Sequence, residues 1–309
     1  MKKPLYLVDD IKYIESNCFQ HQLYKKIKND VDVIELKQFL VRKKSDILEK
    51  YSHIISVLKL RTLIKNVENI SNVVGLSIPF VIYDQDPWES YRKNSIYAYS
   101  YERIAELLNV KYFATTSEWW AKYIRKQGHS ARFVNMWVLP EYCDLSKLAL
   151  FDDRKIELGF IGTTHGYRKD FFEKIKSKGI NIEYVGGSKS YSSFLNSLST
   201  IKIFLHTTDS KFELVDNTEC NLSHGLWVKD IEAASQGCFS IRNSGAGFEN
   251  ISCIPTIKTF ESIDDIRDML DDILRMQKDD RQATIDKAIN IIKEQDRWQE
   301  TANILLCRG

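Results

Sequence analysis

The chain has 309 residues, of which 43% are hydrophobic and 28% are charged, values that are ordinary for a soluble globular enzyme. No apolar run approaches membrane-spanning length, and Asp9 and Asp10 interrupt the apolar N-terminal segment, so we expect neither a membrane span nor a signal peptide. The six cysteines form no C-x-x-C pair and are predicted to be reduced thiols. We therefore expect a cytoplasmic protein.

The formal net charge of +2 is divided unevenly along the chain. Residues 1–150 hold 23 Lys and Arg against 17 Asp and Glu, giving +6, and the remaining residues hold 21 against 25, giving −4. A basic first half favours contact with a polyanion or with the inner membrane surface, where the protein would then be peripheral. An uneven surface without function explains the same numbers equally well.

Apolar runs of strand length alternate with helical periodicity along the whole chain, which is the pattern of parallel β-α-β units. Six strands are predicted in the first half, at residues 5–8, 33–36, 53–57, 80–83, 112–115 and 131–134. The pattern restarts with five more strands, within residues 156–162, 180–186, 201–207, 238–243 and 253–258. Residues 264–306 are helical in pattern throughout.

The alternating pattern lapses around residues 137–151, where Pro140 and flanking acidic residues interrupt it. We therefore predict an α/β protein with a first domain at 1–140, a linker at 141–150 and a second domain at 151–309. Two Rossmann-like domains of this size are expected to face each other across a cleft that holds a ligand. The terminal helix is expected to pack back over their junction.

Two carboxylates, Asp84 and Asp86, directly follow the predicted strand 80–83. The carboxyl ends of parallel strands face the ligand crevice, so either carboxylate is placed to take a proton from a bound hydroxyl group. Capping of the following turn is the alternative for at least one of them. The next residues, Trp88, Tyr91 and Arg92, combine aromatic rings with a cation, which suits stacking on sugars or bases. An ordinary helix over this region, with Tyr97 and Tyr101 packed inward and the basic residues solvated, is the alternative.

The second half opens with a strand that ends at Gly162 and continues through a polar loop into a helix. Gly162 lets a ligand approach the backbone, Thr163 adds a hydroxyl group, and Arg168 is placed to complement a diphosphate near the helix N-terminus. No G-x-G-x-x-G or Walker lysine pattern is present, which disfavours a dinucleotide or P-loop site. A strand, a turn and a helix with solvated cations is the equally weighted alternative.

The segment LWVKDIEAASQGCFSI, residues 226–241, places Lys229 and Glu232 on one face of a short helix that Gly237 ends. Lys229 suits a phosphate. The carboxylate of Glu232 suits a ribose, because it can accept hydrogen bonds from both hydroxyl groups. A surface salt bridge between the two side chains is the alternative.

This segment resembles the C-terminal half of GT-B glycosyltransferases, in which the Glu of an E-A-x-A-x-G motif holds the donor ribose. The matching residues are Glu232, Ala233, Ser235 and Gly237, followed by the strand 238–241 and the small-residue loop 243–248. The strand before Gly162 and the terminal EQDRWQE helix are similar to spore-maturation-type and family 4-like bacterial members, and more loosely to phage DNA β-glucosyltransferases. The resemblance covers residues 156–306, and the first domain only in outline.

The resemblance implies a glycosyltransferase that moves a sugar from a UDP- or GDP-sugar to a hydroxyl acceptor and requires neither a metal nor another cofactor. The first domain would bind the acceptor, through Trp88, Tyr91 and Arg92, and the second would bind the donor. The implied donor contacts are Gly162, Thr163, Arg168, His224, Lys229, Glu232, Ser244, Gly245 and Gly247.

The implied proton acceptor is Asp84, in preference to Asp86, by likeness to the aspartate that follows the corresponding strand in the phage enzymes. This role requires inversion at the anomeric carbon, which we expect in preference to retention. Many retaining members carry a second Glu eight positions before the ribose Glu, and His224 stands at that position here. A structural role beside the glycine turn is expected for His224 ahead of a donor contact.

Several alternatives stay open. The acceptor is expected to be a bacterial surface glycan, a lipid-linked precursor or a protein, and hydroxymethylated DNA bases are the alternative that the basic first half favours. The D-x-D string of Asp84 and Asp86 also fits a metal-dependent GT-A enzyme, but that leaves the second domain unexplained. A protein that binds a nucleotide sugar without catalysis would need Arg168, Lys229 and Glu232 but not Asp84.

Overall fold

The computed structural model describes residues 2–16, 18–144, 146, 148–164, 166–186, 190–208, 210–221, 224–225 and 228–308. Within them the chain forms two compact units by clustering of its contacts. The first unit contains Met1–Asn135, Lys211–Cys220 and Trp298–Gly309, and the second contains Met136–Ser210 and Asn221–Arg297. The predicted α/β class with two Rossmann-like units is confirmed.

The first unit is built on a six-stranded parallel sheet of order β2-β1-β3-β4-β5-β6. Its strands are β1 (Lys3–Val8), β2 (Asp32–Glu35), β3 (Tyr51–Ser56), β4 (Pro79–Asp84), β5 (Asn109–Thr115) and β6 (Ala131–Phe133). Its helices are α1 (Ile11–Ser16), α2 (Cys18–Ile27), α3 (Leu36–Phe39), α4 (Lys44–Lys50), α5 (Leu60–Val74), α6 (Trp88–Tyr91), α7 (Ser100–Leu107) and α8 (Glu118–Lys126). Because helices cover both faces, β4 is buried from Phe80 to Asp84.

The second unit is built on a five-stranded parallel sheet of order β13-β12-β9-β7-β8. Its strands are β7 (Ile156–Ile161), β8 (Glu183–Val185), β9 (Ile201–His206), β12 (Phe239–Asn243) and β13 (Ile257–Phe260). Its helices are α9 (Tyr167–Ser177), α10 (Tyr191–Leu198), α11 (Val228–Ser235), α12 (Ile263–Arg275) and α13 (Lys278–Glu294). The last helix, α14 (Arg297–Leu305), begins at the end of the second unit and continues into the first.

Two segments beyond residue 151 belong to the first unit, so the units divide the chain differently from the expected domains 1–140 and 151–309. One is the hairpin of β10 (Lys211–Glu213) and β11 (Glu219–Asn221), whose Leu214 is fully buried in the core of the first unit. The other is the C-terminal segment, where the carbonyl oxygen of Leu305 lies 3.0 Å from Nε2 of His53. Contacts within the folded chain, rather than position in the sequence, place both segments in this unit.

Among the described residues, no helix combines the length and the apolar character that crossing a bilayer requires.

Candidate functional site

The loops that follow β7, β9 and β12 leave the second sheet at the same edge, because the three strands are parallel and adjacent. Gly162 follows β7 directly and adopts a φ of +144°. A Cβ atom there would lie 3.2 Å from the ring of Phe160 and 3.8 Å from Nζ of Lys229. The structure therefore brings Gly162 and Lys229 together, although they are 67 positions apart in the sequence.

Arg168, in the first turn of α9, connects the loops after β7 and β9. Its Nε donates to the carbonyl oxygen of Thr207 at 3.3 Å, and its Nη1 lies 3.4 Å from both the carbonyl oxygen and Oγ1 of Thr163. The guanidinium carbon also lies 5.7 Å from the centre of the Phe160 ring, which Gly162 adjoins. The cations of Arg168 and Lys229 thus lie at one edge of the sheet, and both are partly exposed.

Lys229 and Glu232 lie on α11 as predicted, and the preceding Leu226 and Trp227 of the predicted segment lie outside the described residues. Glu232 is 1% exposed, whereas Lys229 is partly exposed. The lysine is therefore accessible to a ligand in this structure. The Glu232 side chain, by contrast, is not open to solvent or to a ligand in this structure.

The loop of Ser244, Gly245 and Gly247 follows β12 at the same edge. The backbone N–H of Ser244 donates to Phe260 at 3.0 Å, and Gly247 takes a φ of +99°, which favours glycine. The carbonyl oxygen of Ala246 accepts from Gly225 at 3.0 Å, which places the residue after His224 against this loop. Burial lowers the pKa of His224, so its imidazole is neutral at pH 7.

A buried polar network that was not predicted from the sequence underlies this edge. Asp230 on α11 accepts hydrogen bonds from His206 on β9 and from Ser240 and Arg242 on β12. Burial opposes ionisation of Asp230, but the charges and hydrogen bonds of its partners outweigh it and lower its pKa. Burial also lowers the pKa of His206, so a neutral imidazole donates to an ionised carboxylate.

In the first unit, Asp84 is the last residue of β4 and is 7% exposed. Its Oδ2 accepts from the Tyr101 hydroxyl at 2.8 Å, and its Oδ1 accepts from the backbone N–H of Asp86 at 3.0 Å. Burial, with the nearby charge of Asp86, raises the pKa of Asp84 to about 7, although both hydrogen bonds lower it. A carboxyl group with this pKa exchanges a proton readily at neutral pH.

Asp86, unlike Asp84, is an exposed residue. Its Oδ1 accepts a hydrogen bond from Nε1 of Trp88 at 3.2 Å. The two carboxylates therefore accept their side-chain hydrogen bonds from different donors. In the described part of the chain, no three or more His, Cys, Asp or Glu side chains are grouped so that they could hold a metal ion.

Of the predicted acceptor contacts, Trp88 and Arg92 lie near the surface and meet the same ring. The rings of Trp88 and Phe212 have centres 6.1 Å apart, and the Arg92 guanidinium lies 5.7 Å from the centre of Phe212. Tyr91 is different, because it is fully buried and its ring packs against Tyr101. Its ring therefore has no surface open to an acceptor in this structure.

Comparison with known proteins finds no matching family model and no matching curated protein. Solved structures do match along the whole chain. An α-glucosyltransferase solved with UDP-glucose and DNA containing an abasic site is 13% identical, with a TM-score of 0.60 over 99% of each chain. An α,α-trehalose 6-phosphate synthase from Burkholderia multivorans is 9% identical, with a TM-score of 0.62 over 99% of this chain and 98% of its own.

A third similar structure is Anabaena Alr3699/HepE in complex with UDP and glucose, which is 10% identical, with a TM-score of 0.60 over 98% of each chain. Identities this low establish the fold only. The fold predicted from the Glu232 segment is confirmed: this chain has the GT-B fold of these glycosyltransferases.

Proposed function

We propose that the protein is a glycosyltransferase that moves a sugar from a UDP-sugar to a hydroxyl acceptor. The observation that carries the proposal is the convergence of the Gly162 backbone, Arg168 and Lys229 at one edge of the second sheet, in a chain with the GT-B fold throughout. UDP is preferred over GDP as the nucleotide because similar structures are complexes with UDP or UDP-glucose.

In this proposal the diphosphate binds beside Gly162, where the absent side chain leaves the backbone accessible. Lys229 and Arg168 offset the negative charge that develops on the departing UDP, so no metal ion is required. Thr163 adds a hydroxyl group to the same loop. The neutral His224 and the loop of Ser244, Gly245 and Gly247 contact the sugar or the diphosphate.

Glu232 is proposed to bind the ribose. Because its carboxylate is buried, donor binding is coupled to a local rearrangement that uncovers it. Binding should then be slower than diffusion and accompanied by a conformational change.

The first test is UDP binding measured by isothermal titration calorimetry with Glu232→Gln. This variant loses the charge that accepts the ribose hydroxyls, and hydrogen bonds to a charged group contribute about 1.5–3 kcal/mol, so affinity should fall about 10- to 100-fold. Glu173→Gln, on the exposed surface of α9, is the matched control and should bind as the wild type does. A wild-type protein that binds no UDP would contradict the donor site.

Catalysis is tested separately, because a protein that only binds nucleotide sugars would show the same UDP affinity. Incubation with a panel of UDP- and GDP-sugars should release the nucleotide slowly through donor hydrolysis. The productive donor would identify the base and the sugar. Binding of a donor without any release would favour the non-catalytic alternative.

Asp84 is proposed to contact the acceptor hydroxyl. Under inversion it takes the proton of that hydroxyl. The names α-glucosyltransferase and α,α-trehalose 6-phosphate synthase specify α-linked products, which favours retention if this chain resembles them in chemistry. Nuclear magnetic resonance of the product distinguishes inversion from retention. An α-linked product from an α-linked donor would mean retention, and Asp84 would then not be the proton acceptor.

DNA is the second candidate acceptor, beside a glycan, a lipid-linked precursor or a protein. It is supported by the charge of +6 on residues 1–150 and by similar structures solved with DNA, one of which contains an HMU base. Each phosphate contact makes the slope of log K against the logarithm of the salt concentration steeper by close to one. Steep loss of acceptor binding between low and moderate salt would favour DNA, and a flat response would favour a neutral glycan.

A further inference from the structure

A single buried carboxylate ties the donor helix α11 to two strands of the second sheet. Oδ2 of Asp230 accepts from Nδ1 of His206 at 2.8 Å and from Nη1 of Arg242 at 3.1 Å. Oδ1 of Asp230 accepts from Oγ of Ser240 at 2.7 Å. All four residues are at most 3% exposed, so solvent does not weaken these contacts.

Two residues of this network, Asp230 and His206, connect it to the two cations of the donor site, Lys229 and Arg168. Asp230 directly follows Lys229, whose Nζ adjoins Gly162. His206 directly precedes Thr207, whose carbonyl oxygen accepts from Nε of Arg168. Fixing the Asp230 side chain therefore fixes the backbone beside Lys229 and the backbone that holds Arg168.

A third residue of the network, Arg242, connects it to the loop after β9. Arg242 directly precedes Asn243, whose Oδ1 accepts from the backbone N–H of Thr208 at 2.8 Å. Thr208 in turn follows Thr207. The loop that contacts Arg168 is thus fixed by Asn243 of β12 at Thr208, one residue after the carbonyl group that accepts from Arg168.

The charges of the network compensate one another. The Asp230 carboxylate and the Arg242 guanidinium are buried as a direct ion pair, and the His206 imidazole that shares Oδ2 of Asp230 is neutral. Removing paired charges from water is costly and contributes little net stability compared with apolar packing. Such a network does, however, permit one arrangement of the elements that it joins, because any displacement leaves a buried charge unpaired.

We propose that Asp230 is a positioning residue of the donor site, which holds Lys229 and Arg168 at the spacing that a diphosphate needs without itself touching the donor. This inference rests on the proposed function. The diphosphate of the donor is negatively charged and needs both cations. The nucleoside is neutral, so its binding does not depend on their spacing.

The test is Asp230→Asn, measured by the dissociation constants of UDP and of uridine at a temperature well below the unfolding midpoint. We expect the affinity for UDP to fall about 10-fold or more, as for a misplaced charge-assisted contact, and the affinity for uridine to change less than about threefold. Circular dichroism checks that the variant is folded.

The matched control is Asp152→Asn. Asp152 also accepts a hydrogen bond from a buried arginine, Arg281, but it precedes β7 and so lies at the opposite end of that strand from Gly162. This variant should lower the melting temperature and leave the affinity for UDP within about twofold of the wild type, as expected for distant sites.

Equal affinity for UDP in folded Asp230→Asn and in the wild type would overturn the inference, and so would an equal loss for UDP and uridine. If Asp230→Asn does not fold, His206→Gln, which leaves Asp230 and Arg242 paired, is judged by the same two constants and the same outcomes. A wild-type protein that binds no UDP would instead contradict the proposed function.

Discussion

Asp84 and Asp230 are both buried aspartates at an edge of a parallel sheet, and their surroundings give them opposite properties. Asp84 receives its hydrogen bonds from neutral donors and lies near the charge of Asp86, so burial dominates and raises its pKa to about 7. Asp230 lies against the Arg242 guanidinium and stays ionised. The same residue type thus has a pKa near neutrality in one place and stays ionised in the other.

The raised pKa of Asp84 predicts a pH-dependent gain in stability for Asp84→Asn. Because the folded pKa exceeds the unfolded one, protonated Asp84 is compatible with folding at low pH, and its ionisation destabilises the fold as pH rises towards 7. The advantage of Asp84→Asn in unfolding free energy over the wild type should therefore grow by about 1–3 kcal/mol between pH 5 and pH 8. Urea unfolding at the two pH values measures it.

The control is Asp9→Asn, an exposed residue that should show no such growth between the two pH values. A constant difference between Asp84→Asn and the wild type would mean that Asp84 is ionised in the folded protein at both pH values.

Some of the site residues follow from sequence alone and others do not. Gly162 and Lys229 could be placed near the same edge because one follows a strand and the other starts a helix. Asp230 resembles any acidic residue of a short helix, since its partners His206 and Arg242 are 24 and 12 positions away. Tyr91 could not be assigned to the core or the surface because a four-residue helix has no periodicity to show its buried face.

At the scale of single elements, the end of α11 depends on one glycine. Gly237 adopts a φ of +73°, and a Cβ atom there would lie 2.6 Å from Nη2 of Arg154. That guanidinium is buried and donates to the carbonyl oxygens of Gln236 at 2.7 Å and Ile201 at 2.9 Å, so it cannot move away without losing both hydrogen bonds. Both the backbone conformation and the packing therefore require glycine at this position.

Gly237→Ala is therefore predicted to lower the unfolding free energy by about 2–4 kcal/mol, the sum of a left-handed alanine and a displaced buried guanidinium. Gly128→Ala is the matched control, because Gly128 also has a positive φ but its Cβ would meet nothing within 4 Å. This control should lose only about 1–2 kcal/mol, the backbone contribution alone. Equal losses by thermal unfolding would show that Arg154 adapts freely.

Each predicted strand has an observed counterpart, although the one predicted at 253–258 begins only at Ile257, and β10 and β11 were missed. The predicted strands are buried runs of the kind that parallel sheets produce. Each strand of the hairpin has three residues, and four of these six residues are polar or charged, so no apolar run marks them. The hairpin is identified only by Leu214 and Cys220, which are buried in a core formed by residues far away in the sequence.

At the scale of the whole molecule, the least predictable feature was which stretches of the chain form the first unit. The restart of the strand pattern after residue 155 correctly indicates a second sheet. Periodicity describes only local order, however, and the return of residues 211–220 and 298–309 to the first unit depends on contacts across long separations. No local signal in either segment distinguishes the two units.

A fragment of residues 1–140 is consequently predicted to be much less stable than the full chain. It lacks the fully buried side chains of Leu214, Trp298 and Leu305, and burial of each such side chain contributes about 1.5–3 kcal/mol. The fragment should bind a hydrophobic dye and unfold at lower temperature than the full protein. A cooperative transition at the melting temperature of the full chain would show that the two added segments contribute nothing.

The first unit is formed by separate stretches of the chain, and this affects what proteolytic cleavage of the chain can separate. Over the described residues, the chain contributes to the first unit in three separate stretches, the last two of which follow residue 210. A protease that cleaves near Asp144 therefore produces two pieces that share one hydrophobic core, with Leu214 from the second piece inserted into the first. We expect such pieces to behave as complementing fragments, and the nicked protein to stay assembled until the shared core itself unfolds.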